Sequence, residues 1–280
     1  MTNSANPARA GWHFEADLRL PSWWVVAFND ATDSGNPMHD DTIARRLGFS
    51  GGLVPGVTLY GYLTRPLIAV LGASFLRTGR FEVRFRRPVY EGERVSTHVR
   101  VTSADAQGVV FELELRNPAN EICVTGHARY PAPDRVFPEV PAATPLPASR
   151  RPATPEELRA RPQLGTLQEC FTHEASSAFV ATMGDDLALY HECVHPAWLL
   201  RQANLVVDRN IAVGPWIHVA SEIEHFDVVP LDTPFTVSAR VVQLYAHKGN
   251  DYFDLDVVFA TSKPVMRVLH KAIYRMADGS

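Results

Sequence analysis

The fold is decided by two neighbouring segments, Asp33-Ser-Gly-Asn-Pro-Met-His39 and, closely after it, Gly52-Leu-Val-Pro-Gly-Val-Thr-Leu-Tyr60. A proline near its start and the long apolar run after it predict one helix over 57–71. Strand-like runs come next, with clear apolar-polar alternation in the second of them, at 81–86, 94–102, 109–116 and 122–130. One helix followed by antiparallel strands is typical of an α+β unit whose sheet wraps around the helix.

A weaker copy of this unit occupies the second half of the chain. Gly126-His-Ala-Arg-Tyr130 corresponds to His270-Lys-Ala-Ile-Tyr274. Further upstream three more pairs of segments match in the same order: 95–101 with 235–241, 55–59 with 195–199, and 31–39 with 182–190. The repeat predicts a second helix over 197–207, and the second copy lacks about eleven residues near 40–52.

A proline-rich stretch separates the two copies. Residues 131–162 contain nine of the 21 prolines. Because proline fixes φ and lacks an N–H, no long helix or central strand is expected there. The sequence therefore predicts an N-terminal unit over 1–133, a linker over 134–163 and a degenerate C-terminal unit over 164–280.

Composition places the chain among ordinary globular proteins. Of its 280 residues 46% are hydrophobic and 21% are charged, and the formal net charge of −4 gives no electrostatic reason to bind nucleic acid. The longest apolar runs, such as 23–28, are far shorter than the ~20 residues of a membrane span, and the first residues lack a signal-peptide pattern. Cys123, Cys170 and Cys193 are odd in number and widely spaced, which favours a reducing compartment. We therefore expect a cytoplasmic protein with no nucleic-acid or membrane partner.

Two familiar motifs occur in surroundings that do not suit them. Gly48-Phe-Ser-Gly-Gly52 fits the G-x-S-x-G pattern of serine hydrolases, which needs a strand before the serine, whereas the preceding 42–47 is helix-like. His191-Glu-Cys-Val-His195 fits the H-E-x-x-H pattern of zinc proteases, which needs a continuous helix, whereas Pro196 follows it directly. We predict a glycine-rich turn at the first motif, a loop at the second, and no metal site.

A third pattern is more specific. The active-site segment of the MaoC-like (R)-specific enoyl-CoA hydratases resembles one stretch of this chain. That stretch consists of Asn36-Pro-Met-His39, followed by Gly48-Phe49 and by residues 52–60, which lead into the helix. The resemblance covers the first half, and its weaker copy covers the second. It implies a double hotdog, in which two fused hotdog units, each a long central helix wrapped by an antiparallel sheet, replace a homodimer. In that family a histidine and an aspartate hold a water and add it across a trans-2-enoyl thioester, or run the reverse elimination.

Carried over residue by residue, the resemblance implies roles for three positions of the first half. His39 is the acid or base, Asn36 orients the site, and the N–H of Gly56 faces the thioester carbonyl. Backbone N–H groups at a helix N-terminus are suited to stabilising such an oxygen. Histidine suits proton transfer because its unperturbed pKa lies near working pH.

The catalytic carboxylate of the family is displaced in this chain. It lies five residues before the histidine, where Ser34 stands, while Asp33 is one position earlier. In the second copy Asp185 occupies the family position, but Tyr190 replaces the histidine. Three readings therefore stay open: Asp33 serves the His39 site, a pseudo-site uses Asp185 and Tyr190 on a different thioester, or the chain binds an acyl thioester or another apolar ligand without hydrating it.

The function predicted from the sequence is that of a hydratase or dehydratase acting on an acyl thioester or a related α,β-unsaturated substrate. The alternatives are a hotdog acyl-CoA thioesterase and a non-catalytic binder of an acyl or other apolar ligand. No cofactor is expected, since coenzyme A enters only as part of the substrate, and homodimer formation is left open. Expected substrate contacts are Gly56, Val57, Tyr60, Phe49 and Arg86, the last because arginines near 84–87 could meet the phosphates of coenzyme A.

Overall fold

Ten strands form one antiparallel sheet in the computed structural model, which describes residues 13–31, 35–133 and 135–277. The predicted site residues Asp33 and Ser34 lie outside the described residues. The first half contributes β1 (Trp23–Val26), β2 (Arg80–Phe85), β3 (Arg94–Asp105), β4 (Gly108–Arg116) and β5 (Ile122–Tyr130). After it come β6 (Arg151–Pro152), β7 (Leu167–Glu169), β8 (Ile211–Ala212), β9 (Ile217–His225), β10 (Phe235–His247), β11 (Asn250–Ala260) and β12 (Pro264–Arg275). Among the strands of the described residues, only β6 and β8 lie outside the sheet, and they pair with each other in parallel.

The helices are few and mostly short. They are α1 (Asp41–Arg46), α2 (Gly56–Leu71), α3 (Ala73–Thr78), α4 (Pro155–Ala160), α5 (His173–Met183) and α6 (Pro196–Asn210), with 3-10 turns at Pro37–His39 and Ala188–His191. The predicted helices at 57–71 and 197–207 correspond to α2 and α6, and α6 runs three residues further. Among the described residues, none of the helices combines the length and apolarity that crossing a bilayer requires.

The order of strands in the sheet mirrors the sequence repeat. Across the sheet it is β1-β3-β4-β5-β2-β9-β12-β11-β10-β7, so the two halves present the same order on either side of a central seam. At the seam β2 pairs with β9, from Arg80 opposite Glu224 to Arg84 opposite Ala220. The predicted α+β double hotdog is confirmed, with the two units joined edge to edge into one continuous sheet.

Each long helix is buried against its half of the sheet. Twelve of the 16 residues of α2 are buried, as expected of a helix that is apolar nearly all round. The helices α2 and α6 pack against each other where Gly61 faces Ala197, and a Cβ added to Gly61 would lie only 2.8 Å from the Ala197 Cβ. This close approach packs the first turn of α6 against α2.

The connecting segments agree with the sequence-based predictions. Among the described residues of 131–162 the regular structure is limited to β6 and α4, as the prolines indicate. The helix α1 precedes Gly48-Phe-Ser-Gly-Gly52, so no strand leads into that serine. The segment 191–195 runs from the end of a 3-10 turn to the N-cap of α6, so His191 and His195 are not one turn apart on a helix.

Candidate functional site

Five of the predicted site residues line one cavity of about 270 Å³ at the N-terminus of α2: Asn36, His39, Phe49, Gly56 and Arg86. Trp216 and His218, from the second half of the chain, line the same cavity. The cavity therefore lies at the seam and draws its wall from both hotdog units.

Asn36 ties the motif loop to the second half. It caps the 3-10 turn Pro37–His39, its Oδ1 accepting from the N–H of Met38 at 3.2 Å and from the N–H of Trp216 at 3.3 Å. Its Nδ2 donates to the Trp216 carbonyl at 2.9 Å. Asparagine is a favoured N-cap because its short side chain reaches backbone N–H groups. The buried amide thus fixes the position of His39 relative to the opposite wall of the cavity.

His39 presents an unprotonated nitrogen. Its Nδ1 lies 2.7 Å from the carbonyl oxygen of Leu53. Because a carbonyl only accepts, Nδ1 carries the proton and donates it, which leaves Nε2 of the neutral ring with a lone pair. Burial lowers the pKa of His39, and the bond to Leu53 offsets part of that lowering. The imidazole is therefore neutral near pH 7, with Nε2 suited to act as a base.

The first turn of α2 is open to a ligand. Its N-cap, Pro55, offers no side-chain hydrogen bond, and among the described residues no acceptor contacts the N–H groups of Gly56 and Val57. These groups carry the positive end of the helix dipole. A Cβ added to Gly56 would lie 3.1 Å from the ring of Phe85 and 3.2 Å from Nδ1 of His218. The absence of a side chain at Gly56 therefore leaves room for a ligand to approach the first turn of α2.

Charged groups that the sequence did not point to lie beside His39. A second cavity of about 310 Å³ is lined by His39 and Val57 together with Asp30, Arg201 and Asp208. The carboxylate of Asp30 forms an ion pair with Arg201 from α6 and accepts from the hydroxyl of Thr58 at 2.7 Å. Burial lowers the pKa of Arg201 to about 10 and raises the pKa of Asp208 to about 6.

Nothing in the sequence pattern identifies these three residues. Asp30 lies outside the family motif, and α6 carries Arg201 and Asp208 more than a hundred residues downstream. Only the packing of α6 beside α2 brings them to the His39 site.

The corresponding place in the second half is closed. Nδ1 of His195 accepts the N–H of Ala197 at 3.1 Å and so caps α6, while Pro196 has no N–H. The protonated Nε2 of His195 therefore faces Oδ2 of Asp185 at 3.3 Å. Both side chains are almost completely buried, at 0% and 2% exposure.

Tyr190 and Asp185 nevertheless border a separate cavity of about 700 Å³. The hydroxyl of Tyr190 has no hydrogen-bond partner among the described residues, and burial raises its pKa well above the usual value. Arg65 lies 3.5 Å from Oδ1 of Asp185. This half holds a carboxylate and a phenol, but the first turn of its helix is occupied by its own cap.

Tyr60 is not brought to the His39 cavity. It is fully buried, its ring packs edge-on against Phe81, and its hydroxyl lies 3.3 Å from Nε2 of His225. Val57 lines the second cavity rather than the first. As for metals, no group of three or more histidine, cysteine or carboxylate side chains is arranged to bind one within the described parts of the chain.

Comparisons with known proteins establish the fold. No protein-family model and no curated protein matches the sequence. A protein described as a MaoC domain dehydratase from Chloroflexus aurantiacus aligns with a TM-score of 0.64 and 10% identity over 99% of this chain and 100% of that one.

Two further structures show the same likeness. A double-hotdog protein from Mycobacterium tuberculosis aligns with a TM-score of 0.55 and 13% identity over 93% of this chain and 96% of its own. A protein described as an oleoyl thioesterase from Lactobacillus plantarum aligns with a TM-score of 0.50 and 10% identity over 94% of this chain and 98% of its own. This chain is a double-hotdog protein built on the architecture that the MaoC-like dehydratases share.

Proposed function

We propose that this protein is a hydratase or dehydratase of an enoyl or 3-hydroxyacyl thioester, with its active site in the His39 cavity of the first half. One observation carries the proposal. His39, whose Nε2 keeps a lone pair, and Gly56, whose N–H has no acceptor among the described residues, line one cavity, so a base and an oxyanion donor are available to one ligand.

The proposed chemistry needs only these groups and water. Nε2 of His39 takes a proton from a water molecule as the water oxygen bonds to C3 of the enoyl group. Negative charge then develops on the thioester oxygen, where the N–H of Gly56 stabilises it. The imidazolium returns its proton to C2, which completes the addition of one water. The reverse sequence is the dehydration.

The mouth of the cavity suits the carrier of the acyl group. Arg86 is exposed at the rim, and its Nε donates to Thr125 at 3.1 Å, which leaves the other guanidinium nitrogens available. Guanidinium groups bind phosphate through charge-assisted hydrogen bonds. We place the phosphates of coenzyme A at this rim, with the pantetheine arm leading inward to Gly56.

The second half contributes structure rather than a second active site. His195 occupies the N-terminus of α6, which is the position where the thioester oxygen would bind in that unit. His195 is completely buried, and Asp185, although it borders the neighbouring cavity, is paired with His195 and 2% exposed. The proposal therefore assigns no catalytic step to Asp185 or Tyr190.

The test is an assay of the purified protein with crotonyl-CoA and longer trans-2-enoyl-CoAs, following enoyl absorbance and free thiol together. Loss of absorbance without thiol is expected. His39→Asn keeps a donor for the Leu53 carbonyl but removes Nε2, so kcat should fall by about 10²–10⁴. Tyr190→Phe is the matched variant in the other half and should retain activity.

Each other outcome contradicts the proposal in a specific way. Release of thiol would make the protein a thioesterase. Loss of activity in Tyr190→Phe with retention in His39→Asn would move the active site to the second half. Absence of both signals with every chain length would exclude enoyl-CoA as the substrate.

A further inference from the structure

A histidine from the second half points into the His39 cavity. His218 lies on β9 and is 8% exposed, and its Nδ1 has no hydrogen-bond partner among the described residues. That nitrogen is 3.2 Å from where a Cβ on Gly56 would be, so it lies beside the open first turn of α2. The family motif contains no counterpart of this residue.

A hydrogen-bonded chain behind His218 holds its ring in place. Nε2 of His218 lies 2.8 Å from the hydroxyl of Ser221, and the same hydroxyl lies 3.2 Å from Nδ1 of His270. The centroids of the His218 and His270 rings are 4.1 Å apart. Burial lowers the pKa of His270 to about 3, and burial together with the neighbouring His270 lowers the pKa of His218 well below its usual value, while a backbone hydrogen bond to Ala220 offsets part of that lowering. Both rings are therefore neutral at physiological pH.

The single hydroxyl hydrogen of Ser221 couples the two rings. If His270 donates to Ser221 and Ser221 donates to His218, then Nδ1 of His218 carries a proton toward the cavity. If these two hydrogen bonds run in the opposite direction, His218 donates from Nε2 to Ser221, and its Nδ1 presents a lone pair to the cavity. A partly negative oxygen at the N-terminus of α2 selects the first arrangement, because it offers an acceptor to Nδ1–H and would repel a lone pair.

We infer that His218 donates a hydrogen bond from Nδ1–H to the carbonyl oxygen of the bound acyl thioester, alongside the N–H groups of α2. This inference rests on the proposed function, since it assumes a thioester in the His39 cavity. No bond to His218 forms or breaks: the neutral imidazole keeps its proton and stabilises the charge that develops on the oxygen. His218 is thus a catalytic residue supplied by the second half, and Ser221 and His270 are positioning residues.

The test measures the thioester carbonyl directly and needs no turnover. Saturated [1-13C]butyryl-CoA is bound to the full-length protein, and the isotope-edited infrared difference spectrum gives its C=O stretch. We expect a shift to lower frequency relative to free ligand, smaller in His218→Phe and intermediate in Ser221→Ala. The control is His225→Phe, which replaces another buried histidine of β9 that bonds to Tyr60 and should keep the wild-type shift.

Turnover gives the matching kinetic result. With crotonyl-CoA, His218→Phe should lower kcat by about 10²–10³, the loss typical of one oxyanion donor, with a much smaller change in KM. Ser221→Ala should lower kcat less, because the imidazole remains but is no longer oriented. His225→Phe should retain kcat.

The outcomes separate this inference from the proposed function. A wild-type carbonyl shift that persists in His218→Phe overturns the inference and leaves the hydratase proposal standing. Failure of saturated acyl-CoAs of every chain length to bind, or binding with no carbonyl shift at any length, overturns both.

A second readout covers failure of His218→Phe to fold. In protein labelled with 15N-histidine, His218→Gln assigns the ring signals, and Nδ1 should show a protonated shift when butyryl-CoA is bound. An unprotonated Nδ1 in that complex overturns the inference.

Discussion

A methyl group added at Gly56 should block the active site without unfolding the protein. In Gly56→Ala the new Cβ would lie 3.1 Å from two ring carbons of Phe85 and 3.2 Å from Nδ1 of His218. Carbon atoms pack best at about 3.5–4.0 Å, so the neighbours must move by a few tenths of an ångström. The methyl group also extends toward the place where the thioester oxygen is proposed to bind.

The effects on stability and on activity should have different sizes. Alanine favours a helix over glycine by up to about 1 kcal/mol, which offsets the cost of the two tight contacts. The melting temperature should therefore change by less than about 4 °C for a chain of this size. A substrate displaced by about 1 Å, however, loses about 10²-fold in rate, and kcat/KM should fall by that order.

The assay compares thermal unfolding with hydration of crotonyl-CoA in both the wild type and Gly56→Ala. Gly214→Ala is the control, because Gly214 is exposed and a Cβ added to it would meet no atom within 4 Å. It should leave both measurements unchanged. Full activity in Gly56→Ala would refute the placement of the thioester oxygen at α2, and so would an activity loss explained entirely by unfolding.

Three further predictions follow from the same structure. Asp208→Asn should raise the free energy of unfolding by up to about 3 kcal/mol above pH 6 and leave it unchanged below pH 4, as urea titrations at both pH values would show. The reason is that burial raises the pKa of Asp208 from 3.8 to about 6. Ionisation of Asp208 therefore lowers the free energy of unfolding of the wild type as pH rises from about 4 to 6, whereas asparagine stays neutral. His195→Ala should lower the free energy of unfolding by roughly 2–4 kcal/mol, because α6 loses its cap and Asp185 loses a buried partner, while kcat is retained under folding conditions. Arg86→Ala should raise KM for an enoyl-CoA several-fold but not for an enoyl-pantetheine without phosphates, and equal effects on both would contradict a phosphate contact.

The long elements were predictable because their patterns are local. Residues 57–71 are apolar nearly all round, and the strands after them alternate apolar and polar residues. These patterns indicate directly which residues are buried. The repeat added the topology, since His195 aligns with Pro55 in sequence and both prove to be N-caps. Asn36 and His39 were singled out by the resemblance of their motif to a known family, and the 3-10 turn that joins them is local.

The other wall of the site was not predictable, because it depends on contacts between distant segments. His218 faces Gly56 only because β9 pairs with β2 across the seam. Likewise, Asn36 bonds to Trp216, 180 residues away. The same limitation applies to His195: its alignment with Pro55 places it where the second helix begins, but its bond to the buried Asp185 depends on how the preceding loop folds.

The location of a bound acyl thioester tests the central claim most directly. A crystal structure of the protein with saturated butyryl-CoA, which cannot be hydrated, would locate the carbonyl oxygen. The account predicts that this oxygen lies within hydrogen-bond distance of the Gly56 N–H, with C3 of the acyl chain next to Nε2 of His39. An acyl group bound instead in the cavity beside Asp185 and Tyr190 would contradict it.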